Sequence, residues 1–88
     1  MAKKYRKKPV VIEAVQYSDD TLKVIDKIKK FAGGSVTIDT YAVPTLINVH
    51  TKEGTLEAKL GSYIIKGVEG EFYPCEPDIF HKTYEEVE

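Results

Sequence analysis

Ser18-Asp19-Asp20-Thr21-Leu22-Lys23-Val24-Ile25-Asp26-Lys27-Ile28-Lys29-Lys30-Phe31-Ala32-Gly33-Gly34 is the stretch on which the fold turns. Its first four residues offer side-chain oxygens for the orphan N–H groups of a helix start, and negative charge for the positive end of its dipole. Leu22, Ile25, Ile28 and Ala32, with Val24 and Phe31 beside them, form one apolar stripe at helical spacing. Lys23, Asp26, Lys27 and Lys30 fall mostly opposite. Lys27, Lys29 and Lys30 complement the C-terminal end of the dipole, and Gly33-Gly34 ends the helix because glycine takes positive φ without steric cost. The pattern predicts one helix from Leu22 to about Ala32.

That stripe needs a sheet to cover. Upstream, Pro9–Tyr17 alternates as a strand, with Val10, Ile12 and Ala14 on one face and Val11, Glu13, Val15 and Tyr17 on the other. Downstream, Ser35–Thr40 and Leu46–Thr51 read as strands. Lys52-Glu53-Gly54 is a tight turn that returns the chain through Thr55–Leu60 as a hairpin. Tyr63–Lys66 and Glu71–Tyr73 are short strands around Gly67-Val68-Glu69-Gly70, and Pro74 is expected to end their pairing. Pro77–Phe80 reads as one helical turn with proline near its start. Thr83–Val87 reads as a last edge strand. The expected class is α+β: one amphipathic helix packed on a curved, mostly antiparallel sheet of about five to six short strands. So many strands exceed what one short helix can cover. The uncovered sheet face is expected to curl into a partial barrel or to meet a partner.

Eighty-eight residues make a single domain. Residues 1–7 read as a mobile basic arm, and residues 8–88 as the α+β domain. A chain of this size buries roughly 60–65% of its extended surface, which leaves little room for a deep catalytic cleft. Net charge is −1, but it is unevenly spread. Residues 1–30 carry nine Lys/Arg against four Asp/Glu, and residues 31–88 carry four against ten. The basic end holds Lys3, Lys4, Arg6, Lys7 and Lys8; the acidic end holds Glu85, Glu86 and Glu88. One cysteine, Cys75, permits no intramolecular disulfide and fits a reducing compartment. No apolar run is long enough for a membrane span, and Val10–Ile12, broken by Glu13, is too short for a signal peptide.

The chemistry-bearing residues form no familiar centre. Cys75 with His81 could be read as nucleophile and base, but a small residue in a rigid turn between Pro74 and Pro77 explains it as well. His50, His81 and Cys75 lack metal-ligand spacing. Gly61, Gly67 and Gly70 are followed by no phosphate-loop helix. The basic segment has no interleaved aromatic surface, which argues against nucleic acid. No metal, no cofactor and no enzymatic activity are expected. The strongest remaining signal is Tyr63, Lys66, Phe72, Tyr73, Asp78 and Phe80, where large amphipathic rings lie beside tight turns. These residues are the candidate binding patch, set against the plainer reading that Ile64, Phe72, Ile79 and Phe80 close one end of the core. Six tyrosines also suit an interface.

Tyr5-Arg6-Lys7-Lys8-Pro9-Val10-Val11-Ile12-Glu13-Ala14, together with Tyr63-Ile64-Ile65-Lys66-Gly67-Val68-Glu69-Gly70-Glu71-Phe72-Tyr73-Pro74-Cys75-Glu76-Pro77-Asp78-Ile79-Phe80-His81-Lys82-Thr83-Tyr84, resembles small, largely uncharacterised proteins encoded by bacteriophages and prophages. The likeness covers both ends of the chain and fades through about residues 18–50. That family usually carries Gly-Asp-Tyr where this chain has Gly61-Ser62-Tyr63. The resemblance implies a phage-associated protein acting in a bacterial cytoplasm and transfers no catalytic residue. The expected function is therefore a non-enzymatic binding module for a host protein or for a second copy of itself. The alternative is a small-ligand, nucleotide-like, binding or sequestering protein.

Overall fold

A computed structural model describes residues 2–6 and 8–87. Lys7, part of the expected arm, and Glu88, part of the acidic end, lie outside the described residues. The chain runs β1 (Glu13–Gln16), α1 (Leu22–Ala32), a single 3-10 turn (Gly33–Ser35), β2 (Val36–Asp39), β3 (Leu46–Thr51), β4 (Gly54–Ala58), β5 (Tyr63–Lys66), β6 (Phe72–Cys75) and α2 (Pro77–Thr83).

α1 forms where its pattern predicts. Thr21 is the N-cap, and its hydroxyl accepts the Val24 N–H at 3.4 Å. The Asp19 carboxylate accepts the Thr21 N–H at 2.9 Å, and these Thr21 contacts hold its pKa below the ordinary aspartate value. Ile25, Ile28 and Ala32 are buried, with Val24 and Phe31 packed beside them. Leu22 departs from the expectation: it is 83% exposed. At 3.6 residues per turn it sits roughly 120° around the axis from Ile28, on the flank with Asp26 and Lys29.

Gly33 ends α1 at φ 56°, with its N–H bonded to the Lys29 carbonyl. A Cβ on Gly33 would meet nothing within 4 Å, and the same holds for Gly34, whose φ is not positive. The two glycines therefore differ in backbone conformation alone. Gly33→Ala is expected to cost about 1–3 kcal/mol through strain. Gly34→Ala is expected to be neutral or to stabilise by up to about 1 kcal/mol through the unfolded chain. Urea denaturation of both variants checks this, and equal effects would remove the capping account.

The six strands are all antiparallel, but they form two three-stranded sheets, β1-β5-β6 and β2-β3-β4, and no closed barrel among the described residues. The single sheet expected from the sequence is thus divided, and the halves meet where β6 packs against β3 and β4. In the second sheet, alternation puts Val36, Ile38, Ile47, Val49 and Ala58 inward. Thr37, Asn48, His50, Thr55 and Glu57 face outward. That outer face is polar and needs no cover. His50 sits on it between the Thr37 and Thr55 hydroxyls. The hairpin turn is fixed by Thr51, whose hydroxyl donates to the Gly54 carbonyl at 2.7 Å and accepts the Glu53 N–H at 3.1 Å. Gly54 supplies the positive φ that the return requires.

Three strand boundaries differ from the expected ones, each for a physical reason. β1 begins at Glu13 because Glu13 pairs with Lys66, the last residue of β5, so Val10–Ile12 run past the end of their only neighbour. Pro74 lies inside β6 rather than ending it, opposite Ile64. The Gly67 N–H bonds the Glu71 carbonyl, and counting from that pair places Pro74 at a non-hydrogen-bonded position of an edge strand. No donor is missed there. Thr83–Val87 is not a strand. Pro77 at the start, Asp78 in the first turn, and His81 and Lys82 in the last carry α2 through to Thr83.

The core gathers Tyr17, Ile25, Ile28, Ala32, Ile47, Val49, Ala58 and Ile64 between α1 and the inner faces of both sheets. Val15, Val36, Ile38 and Phe72 close its margin.

Candidate functional site

Alternation in the first sheet gives it two working faces. Val15, Ile64, Phe72 and Pro74 point toward α1. Ala14, Gln16, Tyr63, Ile65, Tyr73 and Cys75 point the other way. α2 lies over this second face. The Tyr63 and Phe80 rings stack at 3.8 Å with planes 6° apart, and Tyr84 meets Phe80 at 5.2 Å. The His81 ring stands edge-on to both Tyr63 and Phe80, with Nε2 3.5 Å from the Tyr63 hydroxyl.

An open cleft of about 530 Å³ lies between this aromatic group and the two chain ends. Ala14, Tyr63 and Phe80 contribute from the sheet and helix, Val10 and Val11 from one end of the chain, and Val87 from the other. Val10, Val11 and Val87 are exposed, Val11 to 76%. Glu85, Glu86 and His81 also line it, and among the described residues no Lys or Arg does.

Of the residues singled out in sequence, the structure brings Tyr63 and Phe80 together and places Tyr73 on the same sheet face. It does not bring in the rest. Phe72 points to the core and meets Phe31 edge-on at 5.4 Å. Lys66 shares that face of the sheet and is exposed at the end of β5. Asp78 stands in the first turn of α2, near Cys75. Sequence reasoning missed Val10, Val11, Tyr84 and Val87. The sequence pattern places these residues in the Pro9–Tyr17 and Thr83–Val87 strands, whereas they lie outside the strands that form.

Burial, followed by Asp78 and Glu76 nearby, pushes the Cys75 thiol up, away from the thiolate form. His81 turns to Tyr63, and His50 belongs to the other sheet. Among the described residues no three His, Cys, Asp or Glu side chains group to hold a metal ion, and no helix is long and apolar enough to cross a membrane.

Tyr73 reports on how closely this face is covered. Burial first, then the Tyr84 phenol and the Glu71 carboxylate beside it, push Tyr73 up to about 12. A raised pKa means that the folded state holds the proton that the unfolded state releases. Its contribution to stability is complete below about pH 10 and is lost as pH rises toward 12. The urea midpoint should fall across that window, and Tyr73→Phe should lessen the fall. Parallel profiles for the two proteins would show that the face is open to water.

Comparison with known proteins adds no relative: no family model, no curated protein and no solved structure matches the chain.

Proposed function

We propose that this chain is a non-enzymatic, phage-associated binding module that engages a protein partner in the bacterial cytoplasm. The observation that carries this reading is the open cleft, part apolar and part acidic, between residues 10–14 and 80–87. Its walls place exposed Val10, Val11 and Val87 around a stacked aromatic pair. Apolar walls around rigid aromatic rings are the usual makings of a protein-binding hot spot. Val10–Ile12 continue β1 beyond its ladder, so their peptide groups can receive an added strand. The resemblance of both chain ends to small phage and prophage proteins supports the cellular setting. Glu85 and Glu86 oppose a phosphate in the cleft, and no Lys or Arg lines it among the described residues, which favours a protein over a nucleotide-like ligand.

The test is Val11→Asp. At 76% exposure the substitution should change folding stability by no more than about 0.5 kcal/mol. It should abolish partner retention in affinity capture from a bacterial lysate, while wild type keeps its partner. Equal retention by both proteins would move the binding surface elsewhere. A wild type that retains nothing and does not self-associate would end the reading.

A further inference from the structure

The cleft has an acidic rim, and the same chain carries a basic segment whose described residues are all exposed. Residues 2–6 and Lys8 are exposed throughout, Tyr5 to 90%. Among the described residues one ion pair is formed, between Lys30 and Asp26, so Lys3, Lys4, Arg6 and Lys8 do not reach Glu85 or Glu86 of their own chain. The base of the segment, at Val10–Ile12, nevertheless borders the cleft that those glutamates line.

Pro9 contributes to the separation. The residue before a proline is biased away from helical backbone, which disfavours a helical return of the segment at Lys8. The long axis of the molecule is 54 Å against 30 and 21 Å for the others, and its radius of gyration of 14.4 Å exceeds the roughly 12 Å of a compact domain of this length. An exposed segment whose base borders one cleft is placed to enter the cleft of a neighbour.

We propose that the occupant of the cleft is the Lys3–Lys8 segment of a second copy, with each copy giving one segment and receiving one. This rests on the cleft being a protein-binding surface. In an extended segment Tyr5 points opposite to Lys4 and Arg6. Tyr5 enters the aromatic floor beside Tyr63 and Phe80, while Lys4 and Arg6 face Glu85 and Glu86 on the rim. The exchange is isologous, so two copies close the assembly and leave no unfilled cleft. The unequal distribution of charge along the sequence then has a physical use: it attracts unlike ends of two chains and weakens as salt rises.

Sedimentation equilibrium of the full chain tests this. Wild type should dimerise. Tyr5→Ala should weaken the dimer on the order of tenfold or more without changing the fold of the monomer, and Tyr5→Phe should largely restore it. A chain carrying Lys4→Glu and Arg6→Glu should be monomeric, and so should one carrying Glu85→Lys and Glu86→Lys. Mixing the two should give a heterodimer, because positions 4 and 6 of each segment then meet positions 85 and 86 of opposite charge. A monomeric wild type, a dimer indifferent to these changes, or a mixture that stays monomeric would each overturn the exchange. If wild type is monomeric yet Val11→Asp still loses a captured protein, the exchange fails while the binding reading stands. If neither association occurs, both fail.

Discussion

Tyr17→Ala should cost about 3–5 kcal/mol, a large share of what a domain of this size has to lose. Tyr17 is only 1% exposed and is the largest fully buried side chain. It joins three parts of the chain that local sequence does not connect. Its N–H donates to the Ser62 carbonyl at 2.8 Å, and its own carbonyl accepts the Gly61 N–H at 2.7 Å, so it ties the end of β1 to the turn before β5. Its hydroxyl donates to the Thr45 carbonyl, which anchors the entry to β3. Tyr17→Phe separates packing from polarity. It keeps the ring and strands the Thr45 carbonyl, for a cost of about 1–3 kcal/mol. Burial, followed by Asp20 and Asp19, pushes the Tyr17 phenol above its ordinary value. Wild type should therefore lose stability as pH rises beyond about 10, and Tyr17→Phe should lose less. Urea titrations of the three proteins at neutral and alkaline pH measure both effects. A Tyr17→Ala protein within 1 kcal/mol of wild type would show that the Tyr17 side chain, its ring and its bond to Thr45, is not what joins the two sheets.

Tyr17 also marks the boundary of what could be read from sequence. Elements whose signals are local came through: α1 between its Thr21 cap and Gly33, the β3–β4 hairpin around Lys52-Glu53-Gly54, and β5. Elements whose limits depend on a distant partner did not. β1 stops at Glu13 because β5 stops at Lys66, and no periodicity in residues 9–17 records that. Pro74 was a strand terminator until the register placed it on an outward-facing edge. The division into two sheets has the same origin. Local alternation shows that a strand has an inner face but not which strands share it. The candidate patch suffered likewise, because Tyr63 and Phe72 look alike in sequence and point to opposite sides of one sheet. The uncovered sheet face expected from the sequence is resolved in two ways. One outer face is polar, and the other carries α2 with a cleft beside it.

That second face leads to the other large effect. Ile64 and Ile65 are adjacent, both fully buried, and on opposite sides of a sheet. In a sheet covered on one side alone, one of them would be exposed. Ile64 belongs to the core with Ile28 and Tyr17. Ile65 lies across the ladder from Ala14 and Tyr73, on the side where Tyr63 stacks with Phe80. Ile64→Ala and Ile65→Ala should each cost about 2–5 kcal/mol. Their couplings should differ. Ile64→Ala combined with Ile28→Ala should depart from additivity, because the two side chains share one cavity. Ile65→Ala combined with Ile28→Ala should add to within about 0.5 kcal/mol, because the sheet stands between them. Ile65→Ala with Tyr73→Ala should again be non-additive, as neighbours across a ladder are. Denaturant double-mutant cycles read these terms directly. An Ile65→Ala cost below 1 kcal/mol would mean that α2 does not seal its face in solution. The cleft beside α2 would then have no fixed wall, and the proposed binding surface would lose its floor along with it.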